Sequence, residues 1–345
     1  MSPAVCALRA VAGSELLTLC KNTARRNVHA TMPSTPLKTA LVTRGHTAAL
    51  KDRTVTPRTF AFEFEEVPTI ITAFRRMVRG LEFDICEMAI TTYLCARAYG
   101  KAFTAIPVFP MRALHHGAIL VNVGSGIEAP SDLEGRRVGV NRGYTVTTGV
   151  WARGILQHQY GVDLNRITWV LSGDEHVAEY RPPANVVALE GGTPMEQLLI
   201  GGRIPAAIGV KVDSPNVKPL IPNDEEVGFE ALRQQGLYPI NHTVVVKSEL
   251  LAAHPELALD LFEAFADAKR RYLQRLSAGT IENPSAEDRF FRRVMELTGD
   301  PLPYGVEPNR RMLEWIIRHA VEQRILPRGV APEELFPPET LSLAA

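Results

Sequence analysis

"SDLEGRRVGVNRGYTVTTGVWARGILQHQYG", residues 131–161, carries a turn, a short strand over Arg137 to Val140, a polar loop and a long helical run. It reads as one β-loop-α unit. A second such unit follows in "GGTPMEQLLIGGRIPAAIGV", residues 191–210. There Thr193 is placed as an N-cap, Pro194 at the first helical position, and Glu196 as the partner in a capping box. Gly201 and Gly202 end the helix, and the strand Ala206 to Val210 follows. Working outward, Leu37 to Thr43, Thr59 to Glu65 and "LEFDICEM" (81–88) read as strands, with Phe60, Phe62 and Phe64 at period two. Ile70, Ile71, Phe74, Met77 and Val78 recur at helical spacing before Gly80. From Ser248 the chain turns helical: Leu257, Leu261, Ala264, Phe265, Ala268 and Tyr272 share one face, and Met312, Leu313, Ile316, Ile317, Ala320 and Val321 mark another helix, capped by Asn309. Strands alternating with helices predict an α/β fold of open parallel sheets covered on both faces. Ligands in such folds settle at the carboxyl ends of strands, often between lobes.

Composition narrows the function classes. Lysine plus arginine number 38 and aspartate plus glutamate 38 in 345 residues, so no global field recruits nucleic acid or an anionic membrane. Any affinity for anions must be local. The four cysteines, Cys6, Cys20, Cys86 and Cys95, lack C-x-x-C spacing, which favours a reduced, cytoplasmic protein. No apolar run approaches the roughly 20 residues needed to span a bilayer. Residues 1–33 are basic, with Arg9, Lys21, Arg25 and Arg26 against Glu15 alone. That bias fits a mitochondrial transit peptide, and equally an untidy start ahead of Met32.

The segments "FDICEMAITTY" (83–93), "AIPVFPMRALHHGAILVN" (105–122), "GVWARGILQ" (149–157) and "INHTVVVKSELLAAHPELA" (240–258) resemble those of the 4,5-dihydroxyphthalate decarboxylase family. The likeness runs from about Leu37 to about Leu276. "DLEGRRVGV" (132–140) also matches, but is shared with many transport receptors. The resemblance implies a two-lobed periplasmic-binding-protein-like fold of type II with a ligand cleft between the lobes. Residues 34–111 plus 246–345 are expected to form lobe 1, residues 112–245 lobe 2, and residues 1–33 a leader. The sequence departs from the family's pattern at His46, where an aromatic residue is expected, and at Arg142 and Gly143, where the family tends to be acidic and proline-bearing. The identity of the substrate stays open on that account.

The resemblance also places the site. Arg112 matches the family's arginine, and a guanidinium offers a carboxylate two parallel hydrogen bonds. His116 and His242 match family histidines at two strand starts and are expected to converge at the hinge, with His116 alternating away from His115. Glu87, at a strand end among apolar neighbours, is expected to have a raised pKa useful for proton transfer. The free amides near Thr145 to Thr148 form a candidate anion seat at a helix start, reinforced by Arg142. Tyr144 and Trp151 are candidate ring walls, Thr91 and Thr92 candidate donors to phenolic oxygens, and Lys211 and His46 further cleft residues.

The implied activity is non-oxidative decarboxylation of a hydroxylated aromatic dicarboxylate such as 4,5-dihydroxyphthalate, by ring protonation and loss of carbon dioxide. Arg112 and Arg142 would anchor the retained carboxylate, His116 or Glu87 would protonate the ring, and His242 would deprotonate or orient a phenol. No cofactor is expected, although Glu87, His116 and His242 leave a divalent metal open. The expected partner is a small aromatic carboxylate, with homo-oligomerisation open. The alternative is a non-catalytic solute receptor of the same fold for a small organic anion.

Overall fold

Eleven strands and ten helices follow one another in the computed structural model, which describes residues 35–345. The strands are β1 (Thr35–Ala40), β2 (Phe60–Phe64), β3 (Ile85–Ala89), β4 (Phe103–Arg112), β5 (Ile119–Asn122), β6 (Arg137–Val140), β7 (Thr168–Leu171), β8 (Val186–Ala188), β9 (Ala206–Ile208), β10 (Val217–Pro219) and β11 (Ile240–Lys247). The helices are α1 (Ala48–Lys51), α2 (Ile70–Gly80), α3 (Ile90–Ala98), α4 (Thr147–Tyr160), α5 (Met195–Ile200), α6 (Asp224–Gln235), α7 (Ser248–Ala253), α8 (Glu256–Ser277), α9 (Ala286–Thr298) and α10 (Arg310–Glu322). The expected leader lies outside the described residues. No helix among the described residues is long and apolar enough to cross a membrane.

Two sheets result, in the orders β2-β1-β3-β11-β4 and β10-β5-β9-β6-β7-β8. The expectation of parallel sheets needs correcting. β11 runs antiparallel to both β3 and β4, and β5 runs antiparallel to β9 and β10. The physical reason is the crossing between lobes: the chain leaves the first sheet after Arg112 and re-enters it at Ile240, running in the opposite sense between two strands already in place. Because residues 240–247 pair only within the first sheet, the return falls ahead of residue 246.

Local chemistry explains most elements and corrects two. Phe60, Phe62 and Phe64 do form a strand edge, their rings touching in succession. α2 stops one residue after Gly80 with Leu81 in the left-handed region, its amide returning to Met77. The capping box at Thr193 does not form: α5 begins at Met195 with Pro194 as its N-cap and no side-chain cap. The segment at His116 is a 3-10 turn, His116–Ala118, ahead of β5, so strand alternation does not govern the direction of the two imidazoles.

Helix α8 covers the first sheet through Leu257, Leu261, Phe265, Ala268 and Tyr272, all buried as its 3.6-residue period requires. Its Asp260, also buried, turns inward to accept bonds from the amides of Arg58 (2.8 Å) and Thr59 (2.7 Å) and from the Thr59 hydroxyl (2.7 Å). One side chain thus satisfies the backbone entering β2 and ties it to a helix some 200 residues later in the chain. Asp260→Ala strands those amides, and the expected loss is about 2–4 kcal/mol, read as a lower urea midpoint at unchanged slope. An unaltered midpoint would refute this role.

Candidate active site

Antiparallel pairing of β11 with β3 sets Val244 opposite Glu87 and His242 opposite Ala89. Glu87 and His242 are therefore diagonal neighbours on one face of the sheet. Nδ1 of His242 lies 2.6 Å from Oε1 of Glu87. The loop after β1 supplies the rest: the Val42 amide donates to Glu87 at 3.0 Å, and Arg44 grips both carboxylate oxygens at 2.8 and 3.0 Å. Arg44 also lies 3.7 Å from Glu287 of α9.

This array reverses the expectation for Glu87. Burial alone would raise its pKa, but the Arg44 charge and the bonds from His242 and Arg44 outweigh it, and the carboxyl is held well below the usual carboxylate range. Glu87 is a fixed anion, unsuited to donating a proton. His242 is lowered from its ordinary 6.5, chiefly by burial and against the pull of Glu87, with the charges of Arg44 and Arg142 adding to the depression. Since Nδ1 is engaged, Nε2 is the nitrogen left for chemistry, and the side chain keeps 12% of its surface exposed. The edge of Phe74 from α2 closes one side, with ring centroids 5.1 Å apart.

Arg142, in the loop after β6 of the second sheet, lies near enough for its charge to help depress this imidazole. Its backbone is in the left-handed region, φ 70°, held by its amide bonding to Ser172 Oγ at 2.8 Å. A non-glycine residue there costs roughly 1 kcal/mol, a strain that accumulates at functional sites. Among the described residues its guanidinium has no hydrogen-bond or ion-pair partner, and desolvation lowers its pKa. Its charge depresses His176 as well as His242. His176 Nδ1 in turn lies 3.1 Å from Thr92 Oγ1, so Thr92 does look toward the second lobe.

Other expected site residues are occupied elsewhere. Arg112 donates to the carbonyls of Tyr238 (2.9 Å) and Pro303 (3.2 Å) and to Asn309 Oδ1, and sits over the Tyr238 ring at 4.9 Å. It joins β4 to the C-terminal segment and offers no fork to a substrate carboxylate. His116 is paired with Gln159 of α4 (2.8 Å), whereas His115, its neighbour, bonds Asn241 (2.9 Å). Asn241 precedes His242 on β11, where the pairing with β4 shifts register, and it bonds His115 while His242 bonds Glu87. His116 does not join His242, and the metal set of Glu87, His116 and His242 is not assembled. His46 is wholly buried against Tyr272 and Phe291, with Nε2 3.0 Å from the Pro110 carbonyl.

The amide seat at the start of α4 exists, but the protein fills it. Glu175 accepts from the amides of Tyr144 and Thr145 and from the Thr145 hydroxyl (2.6 Å). Gly143 leaves the room, since a Cβ there would meet Glu175 at 2.6 Å. The Tyr144 ring lies under Arg153 (3.9 Å), Trp151 donates to the Ile240 carbonyl (2.9 Å), and Thr91 bonds Thr145 (2.6 Å) and Thr147 (2.7 Å). None of these three is a ring wall or a free donor. Lys211 is exposed beyond β9. Sequence reasoning missed Arg44, Glu175 and His176; the one signal was the arginine in "TRGHTAAL" directly after the first strand.

Burial holds His46 at about 3 and His115 and His176 at about 4, well under the ordinary 6.5. Between about 4 and 6.5 the unfolded chain carries these protons and the native chain does not, so stability must rise with pH across that window. Each contributes up to about 1.4 kcal/mol per pH unit. A urea midpoint clearly lower at pH 5 than at pH 7 is expected, with His46→Leu showing a smaller drop; midpoints equal at the two pH values would contradict the neutral burial of these rings.

No protein-family model matches the chain. A 4,5-dihydroxyphthalate decarboxylase of Comamonas testosteroni is 32% identical over 286 residues, 78% of this chain and 86% of that protein. A protein of the same name from Pseudomonas putida is 35% identical over 150 residues, 41% of this chain and 57% of its own length. Among solved structures, a mutant of the desulfurization enzyme DSZB in complex with biphenyl-2-sulfinic acid aligns with a TM-score of 0.52 at 14% identity, covering 89% of this chain and 97% of that one. The ligand-binding component of an ABC-type import system from Staphylococcus aureus aligns with a TM-score of 0.50 at 11% identity, covering 91% and 99%. These structural likenesses bear on the two-lobed fold alone. The sequence identity over most of both chains goes further: the chain belongs to the 4,5-dihydroxyphthalate decarboxylase family of carboxy-lyases.

Proposed function

We propose that the protein decarboxylates a hydroxylated aromatic dicarboxylic acid such as 4,5-dihydroxyphthalate, in the crevice between His242 and Arg142. The observation that carries this reading is the pairing of an imidazole, backed by a buried ionised carboxylate, with an unengaged guanidinium from the opposite lobe. Arg142 takes the retained carboxylate through its two parallel donors. His242 Nε2–H delivers the proton. A ring hydroxyl ortho or para to the leaving group feeds electrons to the ring, so the carboxyl-bearing carbon accepts that proton and a new C–H bond forms. The C–C bond then breaks, its electron pair restores the aromatic ring, and carbon dioxide departs. Solvent reprotonates the imidazole. No organic electron sink is required, and the reading employs no cofactor.

Glu87 serves by position rather than by titration. Its fixed charge holds Nδ1–H, sets the orientation of the ring, and stabilises the imidazolium, much as a buried carboxylate serves the histidine of a hydrolase triad. Arg44 keeps that carboxylate ionised.

Carbon dioxide release from 4,5-dihydroxyphthalate by the purified protein tests the reading. His242→Asn is expected to lower kcat by about 10²- to 10⁴-fold, the span of general acid catalysis. Arg142→Met is expected to raise KM at least about tenfold, the worth of a charge-assisted hydrogen bond. Because the imidazolium is the donor and His242 lies below 6.5, kcat/KM should fall as pH rises through that lower value, whereas kcat, measured with a dianion bound beside the ring, should persist to higher pH. Full turnover in His242→Asn would end the assignment, and tight binding without gas would favour the solute receptor.

A further inference from the structure

A second cluster of ligating side chains stands apart from that crevice, where the last turn of α4 meets the last turn of α10. His158 ends α4; His319 and Glu322 are three apart on α10 and so share one face. His158 Nε2 lies 2.6 Å from Glu322 Oε2, His319 Nδ1 lies 3.8 Å from the same oxygen, and the three donor atoms all fall within 4.8 Å of one another. The two imidazoles have centroids 5.1 Å apart and nearly parallel planes.

His319 is the informative member. The residue is 6% exposed, yet its buried Nδ1 has no hydrogen-bond partner among the described residues. An unpartnered buried nitrogen normally costs about 1–3 kcal/mol, so its retention in a fixed orientation needs a cause. The ring is held by its surroundings. Gly154 of α4 makes room for it, since a Cβ there would meet Nε2 at 2.5 Å, and the Trp151 ring stands at 85° to it, 5.4 Å away. With Nε2 turned to α4, Nδ1 is directed at Glu322 and His158. Glu322 is itself steadied by Arg318, whose Nε donates to Oε1 at 2.8 Å.

We propose that His158 Nε2, His319 Nδ1 and Glu322 bind a divalent transition-metal ion of the zinc type. Two imidazoles and one carboxylate are a suitable donor set, and tetrahedral donors about 2.0–2.1 Å from zinc stand roughly 3.3 Å apart, within side-chain adjustment of the separations seen here. Beside the two histidines lies a cavity of about 300 Å³ whose walls include both of them, Trp151, Gln159, Leu237 and Trp315. A water or a small anion fits there, beside Arg318. Binding replaces the hydrogen bond between His158 Nε2 and Glu322.

The test uses the full chain, stripped with chelator and titrated with Zn²⁺ against a chromophoric competitor, and with Co²⁺ as a spectroscopic probe. One equivalent of Zn²⁺ held at micromolar or tighter affinity is expected, with visible Co²⁺ bands of tetrahedral type. His158→Ala and Glu322→Gln, both at partly exposed positions, should each weaken that equivalent at least tenfold, while His242→Asn should keep it. No binding by the wild-type chain at 100 μM Zn²⁺ overturns the proposal, as does undiminished binding in His158→Ala or loss of the equivalent in His242→Asn alone.

Discussion

The ionised Glu87 carboxylate, with no exposed surface, is the constraint around which the first sheet is arranged. Burying such a group unpaired costs several kcal/mol, and it survives only where donors converge on it. Here they come from separate parts of the chain: the Val42 amide and Arg44 from the loop after β1, and His242 from β11, 155 residues further on. The insertion of β11 between β3 and β4 is therefore required twice. It completes the backbone ladder, and it delivers the imidazole that completes the carboxylate's shell. A sheet without β11 would leave Glu87 short of a partner, so the return crossing between lobes and the ionisation of the site are one event energetically.

The buried arginines divide into those that hold the frame and one that does not. Arg112 spends its donors on carbonyls and Asn309, and Arg153 on Gln323 (2.8 Å) and the Tyr144 carbonyl (2.6 Å), with aromatic rings against both guanidinium faces. Without a carboxylate beside them, desolvation lowers both, Arg112 to about 10. These are joints between the C-terminal segment and the two sheets. Arg142 differs in having a strained backbone, a desolvated charge and no partner among the described residues. A cation kept in that condition is the feature on which the proposed carboxylate-binding role rests.

Fold class was legible in the sequence because period and punctuation are local: Phe60, Phe62 and Phe64 alternate, and Gly80 sits at the end of α2. The direction of β11 was not legible, since nothing in "INHTVVVK" distinguishes a strand that crosses between lobes from one that stays in its own. The site was half legible. His242 and Glu87 were named, but as separate actors, because their contact depends on the register of two distant strands. His116 failed through a local detail: the chain makes a 3-10 turn there instead of a strand, and the ring bonds Gln159. Arg112 failed for a general one, that an arginine's partners are invisible until backbone carbonyls are placed. Arg44 was passed over in favour of His46, two residues away and directed into the core.

The segment after β7 bears on both lobes. Asp174 pairs with Arg75 (2.7 Å) and Arg79 (2.9 Å) of α2, while the adjacent Glu175 fills the amide seat of α4. Asp174 is 61% exposed and its partners about 40%, so each pair is worth about 0–1 kcal/mol. These exposed pairs join α2 to the second lobe at the surface, while the buried bonds of Thr91 to Thr145 and Thr147 and of Thr92 to His176 join the lobes beneath them. The charge of Glu87 already opposes the lowering of His242 by burial, and an anion taken up beside the ring would act in the same sense, the more strongly for the low dielectric around it. In the mechanism proposed above, that sign would couple substrate binding to the supply of the protonated donor.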